Sequence, residues 1–180
     1  MTDSTDSTGT NPNARVLVIM GVSGCGKTTV AELLAERLGW AFEEGDALHP
    51  QANVDKMASG HPLNDDDRRP WLERIAEWIE ARLDAGESGV VTCSALKRAY
   101  RDVLNRRGSG VTFAYLHGDR ETIARRLAER RGHFMPPGLL DSQFADLQEP
   151  SADEPAIRVD AASRPAEIVD GIIAELGLGR

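Results

Sequence analysis

The stretch GVSGCGKTT, Gly21 to Thr29, constrains the fold of this 180-residue chain more than any other. It follows the apolar run VLVIM (Val16 to Met20) and leads into a segment where Val30, Leu33, Leu34 and Leu38 recur at helical spacing. Strand, glycine-rich loop and helix in that order give the pattern G-x-x-x-x-G-K-[ST] the context it needs. Gly21, Gly24 and Gly26 permit backbone conformations that turn successive N–H groups into one concavity at a helix N-terminus, where phosphate oxygens bind. The loop formed by Gly21, Val22, Ser23, Gly24, Cys25, Gly26, Lys27, Thr28 and Thr29 is therefore expected to hold a nucleoside triphosphate. Lys27 would reach the β- and γ-phosphates, and the Thr28 hydroxyl would ligate Mg²⁺.

Four more apolar runs follow, at Ala41 to Asp46, Val90 to Ser94, Val111 to Leu116 and Ala156 to Asp160. Helical stripes lie between and after them, with Trp71, Ile75, Trp78, Ile79 and Leu83 on one and Ile168, Ile172, Ile173 and Leu176 on another. Strands alternating with helices predict an α/β fold of the P-loop nucleoside triphosphate hydrolase type, a parallel five-stranded sheet with helices on both faces. Ala41 to Asp46 is the poorest strand of the five, because Glu43 and Glu44 are costly to bury. The length fits one domain, residues 15–180, behind a polar tail, residues 1–14, that has too little apolar surface to order itself.

Composition excludes several classes of function. A net charge of −8 gives no basic footprint for nucleic acid, and no apolar run approaches the length of a membrane span. Two cysteines, Cys25 and Cys93, are too few for a disulfide framework and suit a reducing, cytoplasmic compartment. The four histidines have no zinc-like spacing, so a metal is expected only with the nucleotide.

Phosphate binding alone does not choose a reaction. Asp46 ends the second strand run, and in a parallel sheet the carboxyl ends of strands line the ligand crevice. It could orient Mg²⁺ or take a proton from an attacking hydroxyl; a helix cap or surface carboxylate is the alternative. GDALHP (Gly45 to Pro50) and HPLNDDDRRPW (His61 to Trp71) are rich in polar groups. There Arg68 and Arg69 could meet a carboxylate, while His49, Asp65 and Asp66 could hydrogen-bond hydroxyls. NDDDRRP equally suits a helix cap followed by an acidic first turn. Ser94, Lys97 and Arg101 follow the third strand, and Lys97 and Arg101, four apart, would share a helix face that meets either an anionic substrate or solvent. Residues 124–140, carrying Arg125, Arg126, Arg130 and Arg131 beside a glycine and two prolines, read as a lid or as an exposed helix that breaks.

These blocks, with KMASGHPLNDDDRRPWL, CSALKRAYRDVL, YLHGD, RRGHFM and SQFADLQEP in that order, resemble the bacterial-type gluconokinases, small P-loop kinases similar in architecture to shikimate kinase. The resemblance runs from about Arg15 to the last helix. It implies ATP- and Mg²⁺-dependent phosphorylation of D-gluconate at O6 by a cytoplasmic homodimer. It also implies catalytic roles for Lys27, Asp46 and Arg130, metal contacts from Thr28 and Asp46, and Arg126 near the adenine. Gluconate would lie among His49, Arg68, Ser94, Lys97, Arg101 and His133. Cys25 and Thr28 stand where serine is expected. The cysteine position predicts inhibition by a thiol reagent with protection by MgATP.

Overall fold

The computed structural model describes residues 11–129 and 137–179. Five parallel strands, β1 (Val16–Met20), β2 (Ala41–Glu43), β3 (Gly89–Thr92), β4 (Val111–His117) and β5 (Ala156–Asp160), form one sheet in the order β2-β3-β1-β4-β5. Seven helices accompany them among the described residues: α1 (Lys27–Leu38), α2 (Gln51–Ala58), α3 (Asp65–Asp84), α4 (Arg98–Leu104), α5 (Arg120–Glu129), α6 (Pro137–Asp146) and α7 (Pro165–Leu176). None of them is long and apolar enough to cross a membrane.

Right-handed crossovers decide which face each helix covers. The chain moves from β1 outward to β2, then reverses and passes back through β3 to β4 and β5. Accordingly α1, joined by α7, covers one face, while α3 and α4 pack together over the other. Residues Val16 to Met20 are wholly buried because β1 is central and covered on both faces. Each such side chain contributes about 1.5–3 kcal/mol of burial free energy, which makes this strand a rigid base for the loop that follows it.

The reversal creates a switch point between β1 and β3, adjacent strands whose following loops leave toward opposite faces. The glycine-rich loop leaves β1 there, and Ser94 lies two residues beyond β3. Two boundaries differ from the sequence expectation. The second strand stops at Glu43 and gives way to a 3₁₀ turn, Gly45–Leu48, so Asp46 is carried by a turn and not by a strand end. Helix α4 begins only at Arg98, with Lys97 extended before it, so Lys97 and Arg101 do not share a helix face. The expected lid, residues 124–140, is described only in its flanks, the end of α5 and the start of α6; Arg130, Arg131 and His133 lie outside the described residues. So does most of the expected tail, residues 1–10.

Candidate active site

Gly26 forms the N-terminal cap of α1 at φ 94°, and Gly24 has φ 85°. These left-handed conformations lead the loop directly onto the helix N-terminus, whose free N–H groups and dipole favour an anion. Lys27 Nζ donates to the carbonyls of Gly21 and Val22, at 2.9 and 3.1 Å, folded back over the loop. Val22 and Cys25 are buried, whereas Thr29 is exposed on α1. The Cys25 sulfur packs so close to Gly21 that a Cβ there would stand 2.7 Å from it. With the residue 1% exposed, the expected attack by a thiol reagent has no route in this conformation. Cys93 is equally enclosed, and burial pushes its thiol up to about 12.

The hydroxyl of Thr28 donates to Glu44 Oε2 at 2.7 Å, and Thr92 donates to Glu44 Oε1 at 2.6 Å. One carboxylate thus joins the phosphate loop, β3 and the segment after β2. Glu44 is a site residue that sequence reasoning missed; it counted only as a charge disfavouring a strand. The next residue has to be glycine for space, since a Cβ on Gly45 would lie 1.8 Å from the Thr92 carbonyl oxygen. Gly45 N donates to Thr92 Oγ1 at 2.9 Å, and its carbonyl accepts from Trp71 Nε1 at 2.8 Å. Both backbone groups beside Asp46 are therefore fixed.

His49 stacks on Trp71 with ring centroids 4.1 Å apart. Asn53 Nδ2 lies 2.8 Å from the Asp67 carbonyl, which can only accept, and 3.3 Å from His49 Nδ1. The amide nitrogen therefore donates to both, and the neutral ring carries its proton on Nε2, 4.0 Å from Asp46 Oδ1. Burial lowers the His49 pKa below its ordinary value; Asp46 opposes this and Arg68 adds to it.

Helix α3 starts at Asn64, whose side chain accepts from Asp67 N while Asp67 accepts from Asn64 N, with Asp65 to Asp67 in the first turn. The NDDDRRP block is thus a capped helix start, and the same turn delivers Arg68 inward, only 7% exposed. Arg68 Nη1 donates to Tyr100 at 2.7 Å and to Asp146 at 3.0 Å. Tyr100 in turn donates to Asp65, which also pairs with Lys97 at 3.1 Å.

A cleft of about 340 Å³ brings Ser23, Lys27, Asp46, His49, Arg68, Trp71 and Ser94 together with Leu139, Ser142 and Gln143 of α6. A second cavity of about 460 Å³ shares Leu63 and Arg68 with it and includes Lys97 and Asp65. An anion-holding loop therefore faces a recess with one buried cation, one carboxylate and several hydrogen-bonding groups.

A family model described as an AAA domain matches residues 16–150. A gluconokinase of Gluconobacter oxydans (strain 621H) is 51% identical over 175 residues, 96% of each chain. The chain belongs to the gluconokinase family. The crystal structure of a gluconokinase from Sinorhizobium meliloti 1021 superposes with a TM-score of 0.83 at 46% identity, covering 93% of each chain. Shikimate kinase from Aquifex aeolicus shares the fold at a TM-score of 0.61 and 18% identity, covering 90% of this chain and 96% of that one.

Within this gluconokinase-family scaffold, not every residue expected at the site is brought to it. Arg101 is 2% exposed and does not line the cleft. It pairs with Glu154 at 2.6 and 3.2 Å and donates to the carbonyls of Ala95 and Leu96. This corrects the expectation that it contacts substrate: its cation holds the turn after β3, where Ala95 takes the left-handed φ of 46°. Lys97 lines the neighbouring cavity and not the main cleft. Arg126 Nη1 donates to the Ala161 carbonyl at 2.6 Å, beside the loop between β5 and α7.

Proposed function

We propose that this chain transfers the γ-phosphate of ATP to the 6-hydroxyl of D-gluconate, giving 6-phospho-D-gluconate and ADP. One observation carries the reading: Lys27 and Ser23 of the phosphate loop share a single cleft with Asp46, His49, Arg68 and Ser94. The high identity to a gluconokinase over nearly the whole chain supports the choice of acceptor.

The loop N–H groups bind the phosphates, and Lys27 leaves the Gly21 and Val22 carbonyls to neutralise the transferring group. Asp46 accepts the proton of the 6-hydroxyl as its oxygen bonds to the γ-phosphorus and the bond to the β-γ bridging oxygen breaks. Arg68 faces the gluconate carboxylate, while Ser94 and the His49 Nε2–H hold hydroxyls. Arg126 flanks the adenine. Arg130 and His133 keep the roles that the family resemblance implies. The chemistry is mainly positioning and charge stabilisation.

The Thr28 hydroxyl, whose proton Glu44 accepts, and the Asp46 carboxylate are hard oxygen donors suited to Mg²⁺. So few protein donors would leave positions for phosphate oxygens and water, as this ion prefers. When bound, Mg²⁺ would neutralise charge on the β- and γ-phosphates. The family resemblance further supports a cytoplasmic homodimer, for which sedimentation at twice the chain mass is the check.

The deciding experiment measures ADP release with MgATP and a panel of D-gluconate, related sugar acids, shikimate and nucleoside monophosphates, with the product identified by mass and ³¹P NMR. Selective turnover of gluconate with phosphate on O6 is expected. Preference for another acceptor, or no acceptor-dependent turnover, would overturn the assignment.

A further inference from the structure

Helix α6 grips both sides of the cleft through two residues three apart. Gln143 Oε1 accepts the Ser23 backbone N–H at 2.8 Å, and Gln143 Nε2 donates to Ser23 Oγ at 3.0 Å. Asp146, on the same side of the helix, accepts from Arg68 at 3.0 Å. Ser23 belongs to the phosphate loop, and Arg68 is the buried cation of the acceptor recess. Each contact engages a group with another use.

Ser23 lines the acceptor cleft, unlike Gly24, Cys25 and Gly26 that follow it. Lys27, the residue that reaches the outer phosphates, lines the same cleft as Ser23, so the outermost phosphate is the one that would lie at the Ser23 N–H. A diphosphate would leave that place empty. An anionic phosphate oxygen makes a charge-assisted hydrogen bond about twice as strong as that of a neutral amide carbonyl, so it would displace Gln143. The other end of the contact is equally exchangeable, because Asp146 and the carboxylate of a sugar acid compete for one guanidinium.

We propose that α6 is a latch responsive to the γ-phosphate. In the unliganded protein Gln143 holds α6 to the phosphate loop and Asp146 masks Arg68. When a triphosphate takes the Ser23 N–H, α6 is released and Asp146 withdraws, leaving Arg68 to the acceptor carboxylate. Gluconate then binds tightly beside ATP and weakly beside ADP, which favours product release. Gln143 and Asp146 are positioning residues that act through Ser23 and Arg68. The inference rests on the reading of ATP and gluconate as the substrates.

The test is calorimetric titration of gluconate into the full chain with Mg²⁺ and either no nucleotide, ADP or a non-hydrolysable ATP analogue. In the wild type the analogue, and not ADP, is expected to lower the gluconate Kd by about 5- to 150-fold, the usual span of a coupling between sites. In Gln143→Ala the ratio between analogue and ADP should collapse toward one, with an unchanged melting temperature and gluconate affinity near the released value. Asp146→Asn should tighten gluconate binding to the nucleotide-free protein. Gln143→Glu supplies a second readout, since its carboxylate still accepts from Ser23 but repels an incoming γ-phosphate. It should weaken binding of the analogue several-fold more than binding of ADP. A wild type whose gluconate affinity is the same with analogue and ADP, or a Gln143→Ala variant that keeps the wild-type ratio, overturns the latch while gluconate turnover stands. Absence of any gluconate binding or turnover in the wild type overturns the functional reading and the latch with it.

Discussion

Replacing Glu154 with alanine strands a cation in the interior. The Arg101 and Glu154 side chains are 2% and 5% exposed, and they meet through two hydrogen bonds of 2.6 and 3.2 Å. Without the carboxylate, the guanidinium keeps only the carbonyls of Ala95 and Leu96, at 2.8 and 3.3 Å. Removing one partner of such a buried pair costs about 3–5 kcal/mol, out of a total stability of roughly 5–15 kcal/mol. For a domain of this size each kcal/mol lowers the melting temperature by about 2–4 °C, so a fall of roughly 6–20 °C is expected by calorimetry. A kinetic effect should accompany it. Ala95 holds a left-handed conformation, φ 46°, that costs about 1–2 kcal/mol and is kept in place by Arg101. When that hold loosens, Ser94 moves from the cleft wall, and KM for gluconate should rise more than KM for ATP. Glu154→Gln, which keeps an acceptor and loses the charge, should fall between the two. A loss below about 1 kcal/mol in Glu154→Ala would mean that the guanidinium is not stranded and has found water or another partner.

Four other outcomes follow from the same geometry. Lys27→Ala should lower kcat by at least about 10²-fold while leaving the melting temperature within a degree, since Lys27 now binds only loop carbonyls that water can satisfy; near-normal turnover would remove it from the phosphate site. Glu44→Gln places an amide N–H against a hydroxyl that donates, Thr28 or Thr92, so stability should fall by about 1–2 kcal/mol and a Mg²⁺ titration of the rate should shift to higher concentration. For His49 the folded pKa lies below 6.5, so the unfolded chain takes up the proton first as pH falls. The His49 contribution is complete above pH 6.5 and lost below it, and His49→Gln should flatten the dependence of urea midpoints on pH between 5 and 7. Neither Cys25 nor Cys93 should react with a thiol reagent until denaturant is added, and fast labelling of the native chain would contradict their burial.

Much of the fold is local in origin, and that part is legible in the sequence. The runs at Val16 to Met20 and Ala156 to Asp160 become β1 and β5 with the same bounds, and the loop glycines stand where α1 needs a left-handed cap. Glu44 is illegible because its role exists only when Thr28 and Thr92, from two other elements, arrive on either side. Arg101 is misread for a different reason. Its pairing with Lys97 assumes that the helix has begun by residue 97, yet CSALKR contains no Gly, Pro or Asp to mark where α4 starts. The marker is Ala95 itself, a left-handed residue without the glycine that normally signals one. The block SQFADLQEP carries Gln143 and Asp146, but spacing alone does not tell that this helix will lie across the cleft.

The groups around Asp46 anchor its backbone through its neighbours while leaving its side chain unengaged. Its neighbour Gly45 is held through both backbone polar groups, by Thr92 and Trp71. His49, one turn on, is held by the Trp71 stack and by Asn53. Asp46 itself is 72% exposed at the side chain and accepts no side-chain hydrogen bond from any described residue. Glu44, two residues earlier, has the opposite treatment, with both oxygens engaged by hydroxyls. In the proposed reaction the proton acceptor needs a lone pair left unengaged, whereas the carboxylate that orients the Thr28 hydroxyl needs its oxygens committed. The segment after β2 supplies both from positions two apart. It can do so only because Gly45, lying between them, lets the backbone pass against β3.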